Sequence, residues 1–518
     1  MNWKPQVSDP FAAMCGKMTQ ALSFCETPVT LLHCTQGAMW GSMSAGQGSF
    51  DEMFDSAGNT RPAYAEYCRW YNEQPPEFLR RKNREADDTF RRTGITFNVY
   101  GEDQAEERLI PFDMVPRIIT APEWRKLSRG IEQRVRALNS FLYDLYHRQE
   151  IVRAGRLPER LLRGNEAWLA NMVGFTPPGG IYTHIVGIDL VRTGPDEFFV
   201  LEDNARTPSG VSYMLENRET MMGMFPDLFS RVAVESVSNY PRRLARSLAA
   251  CVPPAFTGGK PTVAVLTPGI FNSAYFEHAF LADQMGAELV EGSDLRVVEG
   301  RVQMRTTRGY QPIDVLYRRV DDDYLDPLTF NPDSALGVPG IMDVYRAGGI
   351  TIANAPGTGV ADDKAIYSFM PEIVEFYTGE KPLLPNVQTW RCADKDSLGY
   401  VLDNLAELVV KEVHGSGGYG MLIGPTSSKR EIEAFRAKLA ARPENYIAQP
   451  TLALSTCPIY TAKGLAPRHL DLRPFVLVSP DGIDITPGGL TRVALNKGSL
   501  VVNSSQGGGT KDTWVLKD

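Results

Sequence analysis

The stretch His184-Ile-Val-Gly-Ile-Asp-Leu-Val-Arg192, then Thr193-Gly-Pro-Asp-Glu197, then Phe198-Phe-Val-Leu-Glu-Asp-Asn204 decides how this chain is read. Two apolar runs flank a segment of turn formers, so the spacing predicts a β-hairpin. Side chains alternate faces along a strand, which puts Glu202 and Asn204 on one face. Asp189 joins them if the hairpin register allows, and the sequence leaves that register open. Two carboxylates and an amide oxygen form a hard-oxygen site suited to Mg²⁺, which takes few protein ligands and favours phosphate for the rest. The competing reading is a set of solvated charges on an open sheet face. The run Phe198-Phe-Val-Leu201 speaks for burial instead, and a buried carboxylate needs a partner. Arg206, just beyond, suits neutralising a phosphoryl group in transfer, or else an ion pair with Asp203 or Glu202.

Working outward, Gly415-Ser-Gly-Gly-Tyr-Gly420 follows Leu408-Val-Val-Lys411 and precedes Met421-Leu-Ile423. A dinucleotide fingerprint needs a helix after its glycines, and here a strand follows. The segment therefore reads as a glycine-rich hairpin able to lay backbone N–H groups on phosphate oxygens, with Lys411 supplying an ammonium. A flexible surface hairpin is the plainer alternative. Asn354-Ala-Pro-Gly-Thr-Gly-Val-Ala-Asp-Asp-Lys364 runs from a strand through a Gly/Pro turn to a helix start near Asp362. Ligands bind at such strand ends in open α/β sheets, and Lys364 does nothing there for the helix dipole, so a ligand-facing role competes evenly with an exposed lysine. Near the C-terminus Arg468, Asp471, Arg473, Arg492, the Asn503–Gly509 run and Lys511 form a further polar set, with Asp471 and Arg473 sharing a strand face. Trp514-Val-Leu516 after it suggests that this tail docks back.

Around these segments the pattern is mixed. Thr120-Ala-Pro-Glu123 is a capping box. Behind it Leu127, Ile131, Val135, Leu138, Leu142 and Leu145 recur at helical spacing, a scaffold helix with one buried stripe. From Pro261, strands at 262–268, 314–320 and 350–356 alternate with helices at 273–286 and 339–347, which implies an α/β unit with a parallel sheet. Strands at 408–414, 421–424, 446–453, 471–478 and 490–494 dominate the end of the chain, interrupted by a helix at 429–441. Residues 1–48, rich in Met, Cys, Gly and Ser, read as a poorly ordered extension or a peripheral layer.

Composition sets the class. The 518 residues carry 54 basic against 62 acidic side chains, a net charge of −8, which disfavours a nucleic-acid binder. The seven cysteines show no CxxC pair or disulfide-like spacing, so a reducing cytoplasm is expected. No run approaches the roughly 18 apolar residues of a membrane helix, and no secretory leader pattern is visible. The six histidines lack zinc-like spacing. No G-x-S-x-G elbow is present, and nothing marks Cys457 as activated.

Together the hairpin with Ala205-Arg-Thr-Pro-Ser-Gly-Val-Ser-Tyr213, the Ile352–Lys364 segment, Val409–Gly420, and Gly488-Gly-Leu-Thr-Arg492 with Val502–Gly509 carry a resemblance. The chain is similar, over about residues 50–518, to circularly permuted ATP-grasp proteins of the second type, such as the synthetase domain of glutathionylspermidine synthetase. The resemblance implies an α/β fold with α+β elements, a permuted ATP-grasp core and a parallel-sheet pre-ATP-grasp domain. It implies ATP and Mg²⁺ as cofactors, with Asp189, Glu202 and Asn204 as metal ligands and Lys364 and Lys411 on the nucleotide. Gly415, Ser416, Gly417, Gly418 and Gly420 form the phosphate-covering loop, and Gln449 lies on the adenine hinge strand. Arg206, with Arg473 and Arg492, would stabilise transferred phosphate. One departure stands out: where the glutathionylspermidine relatives carry an arginine two residues before the first metal aspartate, this chain has Gly187. That separates substrates more than it touches ATP use. The expected division is an extension at 1–48, a helical region with the metal-binding part at 49–255, the pre-ATP-grasp-like domain at 256–360, and the nucleotide-binding subdomain with C-terminal strands at 361–518. The expected activity is joining a small-molecule or peptide carboxylate to an amine through an acyl phosphate. A small-molecule kinase and a silent nucleotide-binding protein are the alternatives. Substrates and oligomeric state are not legible.

Overall fold

The computed structural model describes residues 48–94, 96–100, 105–414, 420–502 and 507–518, with backbone alone at 96–100 and 105–109. The expected extension lies almost wholly outside them.

The hairpin forms, and its register is resolved. Ile185–Arg192 and Phe198–Asn204 pair antiparallel with Asp189 opposite Glu202 and Gly187 opposite Asn204, and the register shifts just after Asp189. Opposed residues of an antiparallel pair point to the same side, so the three predicted donors share one face. The hairpin belongs to a nine-stranded sheet in which Gly482–Ile485, Phe475–Ser479, Ile185–Arg192, Gly464–Arg473, Leu490–Val493, Gly509–Val515 and Phe112–Ile119 lie side by side. Thr456–Thr461 and Phe198–Asn204 pair onto it from outside that path. The expected single strand 471–478 is two strands meeting at Pro474. A proline cannot donate to the ladder, so pairing stops there and restarts on the other side. The C-terminal run does dock back: every residue of Gly509–Val515 is buried, Trp514 completely.

Helix Ala121–Tyr146 begins at the predicted cap. Thr120 accepts from the Glu123 backbone N–H, and the Glu123 carboxylate accepts from that of Thr120 at 2.9 Å. All six residues of the predicted stripe are buried. The same helix sends Arg134 to Asp203, with two bonds of 2.6 Å, and so braces the hairpin from behind.

A four-stranded, all-parallel sheet carries Thr351–Ala353, Val315–Arg318, Val263–Leu266 and Glu288–Val290 in that order, with helices Tyr275–Met285 and Ile341–Arg346 between them in sequence. These strands are shorter than the apolar runs suggested, because residues at their carboxyl ends leave the ladder for loops. Asn354 is the clearest case. Its side-chain oxygen accepts from the His184 and Ile185 N–H groups at 2.6 and 2.8 Å, and its amide donates to the Ile185 and Ala205 carbonyls at 2.7 and 2.8 Å. One side chain thus ties the parallel sheet to both strands of the hairpin.

A third sheet holds Trp390–Arg391, Tyr446–Pro450, Leu408–Glu412 and Leu422–Ile423, all antiparallel and backed by helix Lys429–Ala441. Helices Ala65–Glu73 and Pro76–Thr93 fall in the expected helical region, though the sequence reading did not place them individually, and they pack into the core cluster that holds Phe112, Phe225 and Trp514. Among the described residues no helix is long and apolar enough to cross a membrane.

Candidate active site

A cavity of about 790 Å³ opens where the three sheets meet, and Asp189, Glu202, Asn204, Arg206, Lys364, Lys411, Gln449, Arg473 and Arg492 all line it. Segments some two hundred residues apart therefore converge as expected. Gly415, Ser416, Gly417 and Gly418 lie outside the described residues. Gly420 is described: its φ of +69° favours glycine, and a Cβ there would also require the Glu412 carboxylate to shift.

Asp189 is fully buried at the cavity floor. Arg473 grips both its oxygens at 2.5 and 2.7 Å, and Arg492 donates to Oδ2 at 2.6 Å while also binding Asp471 at 3.0 and 2.5 Å. Burial alone pushes the Asp189 carboxyl up, but Arg473 and Arg492 outweigh it and hold the group well below the usual carboxylate range. The Asn204 amide adds a 3.3 Å bond to Asp189 Oδ1. Gly187 has a local reason as well. A Cβ there would meet Arg473 Cδ and Pro208 Cβ, each at 3.3 Å, so the bare backbone lets Arg473 pass to Asp189 from the neighbouring strand.

Glu202 behaves oppositely. Burial, then the adjacent Asp189 charge, push its carboxyl up, while Lys364 and Lys411 pull it back. Burial lowers the Lys411 ammonium to about 8, with Lys364 adding to the fall and Glu202 opposing it. These mutual effects place both ammonium groups within electrostatic reach of the acidic hairpin.

Arg206 pairs with neither Asp203 nor Glu202. Its guanidinium lies 3.5 Å from Asp321 and 3.8 Å from Asp362. Asp362 accepts from the backbone N–H groups of Ala205 and Arg206 at 2.5 and 3.2 Å, and burial pushes its carboxyl up to about 7. Asp321, Asp362 and Arg319 line the cavity although the sequence reading passed over them; Asp362 alone left a signal, standing two residues before Lys364. Arg319 bonds Glu277 at 3.0 Å and the Pro208 carbonyl at 2.6 Å. Gln449 sits opposite Val409 and donates to Thr389 at 3.1 Å, and the apolar Val387, Val409, Ile423, Leu452 and Leu454 line the same cavity. Arg468 and Lys511 stand apart from the cavity: Arg468 bonds the Leu495 carbonyl, and Lys511 is buried against Asp113 and the Pro458 carbonyl.

The donor set suits Mg²⁺. Asp189, Glu202 and Asn204 offer hard oxygens on one face, and the pressure on Glu202 from burial and Asp189 favours a cation beside it. Among the described residues no group of three or more His, Cys, Asp or Glu forms a complete metal cage.

The circularly permuted ATP-grasp type 2 family model matches residues 116–494. An uncharacterised protein of Synechocystis sp. is 52% identical over 90% of this chain and 97% of its own length, and an uncharacterised Mycobacterium tuberculosis protein is 50% identical over 90% and 84%. A Frankia alni protein, provisionally named glutamate–cysteine ligase 2-3, is 42% identical over 90% of this chain, which spans 54% of that protein. Among solved structures, a glutathione synthetase-like effector from Globodera pallida superposes with a TM-score of 0.55 at 11% identity, covering 86% of this chain and 98% of its own, a likeness of fold. The matched segment takes in the hairpin, both lysines and Arg492, and the chain belongs to the circularly permuted ATP-grasp type 2 family.

Proposed function

We propose that this chain is an ATP-dependent carboxylate–amine ligase that makes an amide through an acyl phosphate. The observation carrying this reading is the convergence of the Asp189–Glu202–Asn204 face with Lys364 and Lys411 on one cavity. A carboxylate is a poor acyl donor because oxide would have to leave. In the first step a substrate carboxylate oxygen attacks the γ-phosphorus of ATP, the bond to the bridging oxygen breaks, and ADP departs. In the second step the amine attacks the acyl carbon, phosphate leaves with the C–O bonding pair, and the protons lost by nitrogen pass to phosphate.

Asp189, Glu202 and Asn204 would hold Mg²⁺, which when bound neutralises phosphate charge. Lys364 and Lys411 set their ammonium groups against the phosphates, and Arg206 faces the phosphoryl group in transfer. Arg473 and Arg492 act through Asp189, keeping it ionised and fixed. Gln449 and its aliphatic neighbours take the adenine, and the loop at 415–420 shields the mixed anhydride from water. A cytoplasmic setting fits ATP use and the buried thiols Cys251, Cys392 and Cys457, none of them in a disulfide.

The test is incubation with Mg-ATP and candidate acids, with and without amines, beginning with glutamate and cysteine from the Frankia relative's name and a dipeptide pool. Products are identified by mass spectrometry. ADP release coupled to a new amide is the expected result. A stable phosphorylated product without amide would replace the ligase with a kinase.

A further inference from the structure

Building on the nucleotide-binding reading above, we propose that His414 is a third phosphate-binding group of this cavity, held in place by Asp363. His414 stands two residues beyond the strand that carries Lys411. Its ring is about half exposed and lines the same cavity as Lys364 and Lys411.

The ring is anchored rather than loose. His414 Nδ1 lies 3.3 Å from Asp363 Oδ2. Asp363 is itself fixed from three sides: its Oδ1 accepts from the Ala365 and Ile366 N–H groups at 2.7 and 3.0 Å, and its Oδ2 accepts from the Asn165 amide at 3.0 Å. Those backbone bonds make it the N-cap of the short helix whose first residue is Lys364. The Lys364 N–H also reaches the Val413 carbonyl at 3.5 Å. A single buried carboxylate therefore sets the histidine ring and the Lys364 helix in fixed relation.

The electrostatics follow from this anchoring. With Nδ1–H given to Asp363, the ring's remaining nitrogen, Nε2, lies on its far edge. In the imidazolium form Nε2–H is a second donor. Asp363 lies against the ring, and Lys364, Glu412 and Glu166 line the same cavity. Lys364, Lys411 and His414 then present three donor groups to a polyanion. A charge-assisted bond to phosphate corresponds to about a tenfold change in affinity.

The experiment titrates the full chain with the Mg²⁺ complex of β,γ-imido-ATP, and with adenosine. His414→Gln should bind the triphosphate about tenfold more weakly than the intact protein, with adenosine binding unchanged. Unchanged triphosphate affinity in the variant would overturn the assignment. So would an equal loss of adenosine binding, which would make the ring a structural prop. An intact protein that binds neither ligand would bring down this assignment together with the ligase reading, whereas failure of the variant alone leaves that reading standing.

Discussion

At the scale of single residues, the site is a balance of charges that would be costly if any were left alone. Glu202 carries the metal assignment most directly, since Asp189 already has two arginine partners. Glu202→Gln preserves shape and removes charge. Turnover should fall by about 100-fold or more, with an unchanged circular dichroism spectrum. Near-normal ADP release from the variant would remove Glu202 from the machinery. Arg492 plays a different part. It is buried between Asp189 and Asp471, so Arg492→Met strands the Asp471 carboxylate away from solvent and leaves Asp189 to Arg473 alone. Breaking a buried pair costs about 3–5 kcal/mol. Urea denaturation should register a loss of that order, and a loss below about 1 kcal/mol would show that the carboxylates find other partners.

At the scale of elements, the C-terminal strand shows why the tail is integral. Gly509–Val515 lies between Leu490–Val493 and Phe112–Ile119, pairing antiparallel with the first and parallel with the second. Trp514 packs against Phe229, with ring centroids 4.8 Å apart, and donates to Asp512 at 2.6 Å. Deleting residues 509–518 opens two interior strand edges and removes a tryptophan whose loss alone costs about 3–5 kcal/mol. The shortened chain should be recovered as aggregate; a soluble, cooperatively unfolding product would contradict this account. Much at this scale was legible beforehand. The Thr120 cap, the stripe along helix 121–146 and helix 429–441 follow from spacing and capping alone. The individual helices between Ala65 and Thr93 were not legible, because their apolar residues answer to partners such as Asp227 and Phe225, more than a hundred positions away.

For the whole molecule, acid stability tests how the sheets are joined. His184 begins the hairpin, is 1% exposed, and neither ring nitrogen has a hydrogen-bond partner among the described residues. Burial lowers its pKa to about 4 from an ordinary 6.5. The unfolded chain therefore takes up a proton below about pH 6.5 that the folded chain refuses until about pH 4. Stability must fall as pH drops through that window, by about 3 kcal/mol. His184→Leu should remove this share of the slope in pH-dependent denaturation, leaving that of the buried His278, whose pKa burial also lowers; a slope unchanged by the substitution would sink the argument. Asp189, depressed by its arginines, is lost in a separate and lower range, below about pH 4.

The sequence by itself determined the kinds of chemistry available. An acidic hairpin, two lysines, a glycine run and an alternating α/β segment are properties of adjacent residues, and short-range physics suffices to read them. Only the tertiary structure decided which groups meet: Asp189 opposite Glu202, Arg473 passing over Gly187, Asp362 against Arg206, His414 on Asp363, and Asn354 clasping the hairpin. Such pairings span up to 303 positions. Register, and the approach of distant loops, come from the packing of three sheets that share one cavity, and no local pattern encodes that.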